Sequence, residues 1–204
     1  MIMTSQTLGD TEQRSGEQCE YLMLEFSPLS APLQSRWRNN GLSADFLGDY
    51  VTTFLPVNRD IAASGRRQSE IRHAVTYIAN ELLENAMKYH QRGINIPIGI
   101  RLELSADNIT VTVSNGVGFD GAQSYKSYVE GVLKEDPNDL LVRQLENSSA
   151  KEDSTKSCVG LLTMVNDYGA KLGWRFEVNA EHSETMTVTT RAVLPLEHHP
   201  GESA

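Results

Sequence analysis

Apolar and polar positions follow two different periods along this chain. From Ile71 the apolar residues recur at helical spacing, Ile71, Val75, Ile78 and Leu82 with Tyr89 further on, and predict one long helix that Gly93 and Pro97 end. After it the period drops to two. Ile98, Ile100, Leu102 and Leu104 alternate with Gly99, Arg101, Glu103 and Ser105, and Ile109, Val111 and Val113 alternate with Ser and Thr. The break at Ala106-Asp107-Asn108 predicts a hairpin turn between the two runs. Trp174, Phe176 and Val178, then Met186, Val188, Thr190 and Ala192, predict two further strands. Upstream, Leu22, Leu24 and Phe26 predict a first strand that Pro28 and Pro32 close. A short helix over Gln34–Arg38 is predicted to end at Asn40-Gly41. A second, capped by Ser43, carries Phe46, Leu47, Tyr50, Val51 and Phe54 as far as Pro56. The basic turn Gly65-Arg66-Arg67 leads into the long helix. Such clean alternation packs one sheet face and leaves the other wet or partly covered. The expected fold is therefore an α/β, two-layer α+β sandwich with a mixed, mainly antiparallel sheet and helices on one face.

The long helix breaks its own pattern where chemistry would sit. After Leu82 the next slot of the stripe should be apolar, and the chain places Asn85 there, with Glu81 and Lys88 about one turn to either side. An amide half-buried without partners costs ~1–3 kcal/mol, so it needs either neighbouring backbone or a ligand. The string Glu81-x-x-x-Asn85-Ala86-x-Lys88-Tyr89 resembles the N box of the gyrase, chaperone and histidine-kinase ATPase superfamily. The resemblance implies a Bergerat-type ATP-binding fold. It also implies that Asn85 holds a magnesium ion bridging nucleotide phosphates, Glu81 orients or deprotonates the attacking hydroxyl or water, and Lys88 approaches phosphate. Magnesium keeps several waters and takes few protein oxygens, so one amide on a rigid helix can serve it.

Two glycine segments follow in the order that superfamily uses. Ser114-Asn115-Gly116-Val117-Gly118, after the hairpin, is similar to the first glycine box. There an Asp reads the adenine amino group, and Ser114 stands in its place, with Asn115 competing for the role. A glycine turn ending a strand is the structural alternative. Ser157-Cys158-Val159-Gly160-Leu161 is similar to the second box, with Cys158 in place of its first glycine. A helical stripe, Leu161, Leu162, Val165 and Tyr168, runs on to Gly169, which would put Ser157–Gly160 at a helix N-terminus that favours phosphate. An ordinary helix cap explains the same residues. The stretch between the boxes, 119–156, is placed as the ATP lid, with a helix around Asp139–Glu146 and a polar run from Asn147 to Ser154.

Composition bounds the rest. The 204 residues suit one domain with its own core, and 39% hydrophobic content fits a globular unit with polar ends. Expected boundaries are a disordered tail over 1–18, the ATP-binding domain over 19–196 and a second tail over 197–204. A net charge of −9 argues against nucleic acid or an anionic membrane as partner. No apolar run reaches the ~20 residues of a membrane span, and the polar N-terminus does not resemble a secretory signal. Cys19 and Cys158 form neither a metal pattern nor a disulfide framework, so a reducing cytoplasm is the default. His73 does not fit the phospho-accepting segment of sensor histidine kinases and reads as an ordinary helix residue. The whole pattern resembles a stand-alone histidine-kinase-like ATPase module, near anti-sigma-factor serine kinases and a set of cyanobacterial ATP-binding proteins. That resemblance implies a cytoplasmic regulator that binds ATP and Mg2+. It would act as a Ser/Thr kinase of partner-switching type on a protein partner, with a homodimer left open. The alternative is a non-catalytic interaction module with a degenerate pocket.

Overall fold

The computed structural model describes residues 5–11, 19–28, 33–55, 61–148, 159–178 and 184–196. In chain order the elements are β1 (Ser5–Gly9), β2 (Glu20–Phe26), α1 (Leu33–Thr52), α2 (Ile61–Tyr89), β3 (Ile98–Leu104) and β4 (Asn108–Gly118). Then come α3 (Phe119–Val132), α4 (Pro137–Ser148), α5 (Val159–Asn166), β5 (Lys171–Val178) and β6 (Thr185–Pro195). The strands form one sheet in the order β1-β5-β6-β4-β3-β2, and every ladder is antiparallel.

Register sorts the side chains as the alternation requires. Ile100, Val113, Thr190 and Trp174 stand in one row across four strands, and Asn115, Val188 and Phe176 in the next, facing the helices. Ser114, Thr189 and Arg175 share the opposite face. Trp174, Phe176, Ile100 and Leu102 are almost wholly buried against Ile78, Leu82 and Leu83 of α2, and this is the core. The result is a two-layer α+β sandwich with α2 lying across β3 and β4.

Several expectations are revised. Ser5–Gly9, assigned to a polar tail, forms the edge strand β1 on β5, with Asp10 N donating to Leu172 O at 2.8 Å and Arg191 paired with Asp10 at 3.3 Å. The two helices expected around Asn40-Gly41 are one helix, α1. Gly41 costs ~1 kcal/mol there, and burial of Leu47 and Val51 against α2 outweighs it. Ser43 is therefore a mid-helix residue and not a cap. Gly65 lies inside α2, which starts at Ile61. The start of the segment placed as a lid is packed helix: α3 follows β4 directly and buries Ala122 and Val129 completely. The helix expected around Asp139–Glu146 is α4, opened by Pro137 in its first turn, with Asp136 Oδ1 accepting from the backbone N of Asn138 at 2.9 Å. Ser157, Cys158, residues 149–156 of the expected lid and the tail 197–204 lie outside the described residues. No described helix is long and apolar enough to cross a membrane.

Candidate functional site

Helix α2 has a closed side and an open side. On the closed side Val75 and Ala79 belong to the buried core, and α1 comes close because Gly48 has no side chain. A Cβ at Gly48 would strike Thr76 Oγ1 and lie 3.0 Å from the carbonyl oxygen of Arg72. On the open side, Glu81, Asn85 and Tyr89, one turn apart, border a cavity of ≈ 350 Å³. Its other walls are Val113, Asn115, Val117 and Gly118 of β4, Tyr125 and Tyr128 of α3, Gly160 and Leu161 of α5, and Val188 and Thr190 of β6. Residues from all three sequence motifs therefore meet at one cavity of a size that takes a small ligand.

Not every motif residue is there. Strand β4 runs on through Gly118, pairing with Thr185 of β6, so its first glycine segment is regular strand and not a turn. The strict alternation then decides between Ser114 and Asn115. Ser114 faces the other side of the sheet, its Oγ 3.1 Å from where a Cβ on Gly99 would stand. It does not line the cavity, which corrects its assignment to a nucleotide base. Asn115 lines the cavity, is 6% exposed, and donates through Nδ2 to the carbonyl of Ala86 at 3.0 Å. That carbonyl is one of the four that the end of α2 leaves without an intrahelical donor, so Asn115 also caps the helix. Gly116 is buried against Ile94 and Ile96 and does not border the cavity; Gly118 does. Lys88 is exposed, its Nζ 5.4 Å from the Tyr89 ring centroid, and it is not part of the lining.

Glu81 is the only charged side chain lining the cavity among the described residues. Its carboxyl is half-buried, and burial first, then the neighbouring carboxylate of Glu84, raises its pKa above the ordinary value. Its carboxylate lies directly over Gly160, in the first turn of α5. At the end of α2, His90 is buried with neither ring nitrogen hydrogen-bonded. Burial lowers its pKa, and a contact with the Ile94 backbone, too poor to satisfy the ring, only partly opposes this.

The residues sequence reasoning missed are on α3. Tyr125 accepts from Trp174 Nε1 at 2.9 Å, stacks on Tyr89 with centroids 6.4 Å apart, and meets Phe176 at 6.2 Å. The signal was present: Ala122, Tyr125 and Val129, with Tyr128 beside them, recur at helical spacing just after Gly118.

The lining fits a magnesium nucleotide in part. Asn85 offers an amide oxygen for a hard cation, and Asn115 has its Nδ2 committed to Ala86, leaving its oxygen for a ligand's donor. No group of three His, Cys, Asp or Glu among the described residues could hold a metal, so a divalent ion would depend on Asn85, water and phosphate. No Lys or Arg lines the cavity among the described residues, so the ion would have to offset most of the phosphate charge.

No family model matches the chain, and no curated protein matches it in sequence. In three dimensions it is similar to a chain in the crystal structure of the SiaB–SiaC complex from Pseudomonas aeruginosa. The TM-score is 0.53, with 16% identity over 85% of this chain and 89% of that one. At that identity the likeness establishes a shared fold.

Proposed function

We propose that this chain is an ATP-binding regulatory protein that phosphorylates, or binds in an ATP-dependent way, a protein partner in the cytoplasm. One observation carries the reading: Glu81 and Asn85 of α2, Asn115 and Gly118 of β4, and Gly160 and Leu161 of α5 border a single cavity. ATP with Mg2+, when bound, supplies the phosphoryl group. Asn85 would hold the ion, the oxygen of Asn115 would accept a hydrogen bond from the base, and Glu81 would take the proton of a partner serine or threonine hydroxyl, ADP being the leaving group. A carboxylate whose pKa is raised by burial is a stronger base than an exposed one. Phosphoryl transfer asks the protein mainly for positioning and charge neutralisation, which a few groups on rigid elements supply. The similar fold occurs in a protein–protein complex, which supports a protein partner. The net charge of −9 argues against nucleic acid.

A second reading, a non-catalytic interaction module, is favoured by the lack of a basic side chain among the described lining residues. Calorimetric titration with ATP, with and without Mg2+, followed by assays of phosphate release and labelled-phosphate transfer to co-purifying proteins, separates the two. Magnesium-dependent binding with turnover is expected. Tight binding without turnover assigns the module reading, and no binding refutes the nucleotide site.

A further inference from the structure

We infer that Gly160 is a positioning residue for Glu81: its bare Cα seats the carboxylate against the first turn of α5. This differs from the phosphate-cradling part its segment resembles, and its catalytic side rests on the function proposed above. Three observations support it. A Cβ at Gly160 would fall on Glu81 Oε2 and lie 2.8 Å from Cδ and 3.3 Å from Cγ, so the whole carboxyl end covers that position. The glycine is not there for backbone reasons. Gly9, Gly93 and Gly169 are the described glycines with positive φ, and Gly160 lies within a helix where alanine would be the better residue. The wall behind it is fixed, since Leu161, Leu162 and Met164 anchor α5 in the core. Leu82 and Leu83 hold the backbone of α2 equally firmly.

An added methyl therefore meets the free end of a flexible side chain between two rigid backbones, and the side chain is what yields. Gly160→Ala should fold normally and move the carboxylate. Among the described residues, the titratable neighbours of Glu81 are Glu84 and Tyr77 on α2 and, around the cavity, Tyr89 of α2 with Tyr125 and Tyr128 of α3; α5 and β4 contain none.

The test compares full-length wild type with Gly160→Ala, Glu81→Gln and the double variant. Gly160→Ala is expected to melt no lower than wild type and to bind Mg2+ATP within about threefold of wild type, while phosphate release falls toward that of Glu81→Gln. The double variant should be no worse than either single one, because the two changes remove the same positioned group. The Glu81 carboxyl titration, followed by carbon NMR and assigned through Glu81→Gln, should move toward the ordinary value in Gly160→Ala. Two outcomes overturn the inference: an affinity loss beyond about tenfold with turnover intact, the mark of a phosphate cradle, or an unchanged Glu81 titration. The titration needs no nucleotide. A wild type that binds no ATP would thus refute the proposed function while the seating of Glu81 was still decided.

Discussion

The two sides of α2 use the same device for opposite ends. Toward α1, a missing Cβ at Gly48 lets two helix backbones close on each other, and nothing polar is gained except tight packing around Thr76. Toward α5, a missing Cβ at Gly160 admits a carboxylate that would be better solvated elsewhere. Close packing lowers the free energy of the fold, whereas a half-buried acid with another carboxylate beside it raises it. A helix that carries both has one side selected for stability and the other held in a less stable arrangement, which is where function is to be sought.

The largest effect should come from the open side. Glu81→Gln keeps the shape and removes the base, so turnover should fall by roughly 100-fold or more with ATP affinity retained. The same variant should be more stable than wild type at neutral pH. The sign follows from the raised pKa: the favourable, protonated form of Glu81 persists below the ordinary value of 4.5, and its contribution is lost as pH rises through the higher folded-state value. Thermal melts should therefore show a gain for Glu81→Gln at pH 7 that vanishes in acid. A loss of stability at pH 7 would remove the contrast between the two sides.

Gly48→Val tests the closed side. Overpacking against helix backbone should cost about 1–3 kcal/mol in denaturant unfolding, with ATP affinity per folded molecule unchanged. Asn115→Ala joins the sides, since it strips a buried cap from α2 and a polar group from the cavity. It should cost about 1–2 kcal/mol and weaken ligand binding as well. A smaller effect is expected from His90. Its folded-state pKa lies below the ordinary 6.5, so on acidification the unfolded chain takes a proton that the folded chain refuses. Stability should decline as pH falls below about 6.5, and His90→Gln should flatten that part of the profile. Smallest of all is Ser114→Ala, on the far face of the sheet, which should leave ligand affinity within error.

Much of the fold was legible because long periodic runs say what they are. The stripe from Ile71 to Leu82 and the alternation from Ile98 to Val113 became α2, β3 and β4 with the expected faces. What failed were places where a local signal met a tertiary one. Asn40-Gly41 looks like a stop, yet the helix continues because the residues beyond it pack on α2. Strand β1 is polar apart from Leu8, so nothing in its own sequence announces a strand; β5 supplies the partner. The glycine spacing at 114–118 located the cavity wall, but which residue faces inward depends on where the strand ends. Pairing with β6 as far as Gly118 fixes that, and no motif encodes it.

Strand β1 has a practical consequence for anyone shortening this protein. Trimming the N-terminus as a dispensable polar leader would uncover β5 from Gly173 to Glu177, turning an inner strand into an edge. Bare strand edges recruit other chains through their free backbone groups. Asp10 also lies over Gly173 and pairs with Arg191, so the same cut would leave a cation on the outer sheet face without its acid. Shortened versions starting near residue 19 should be harder to keep monodisperse, and an affinity tag belongs at the other terminus.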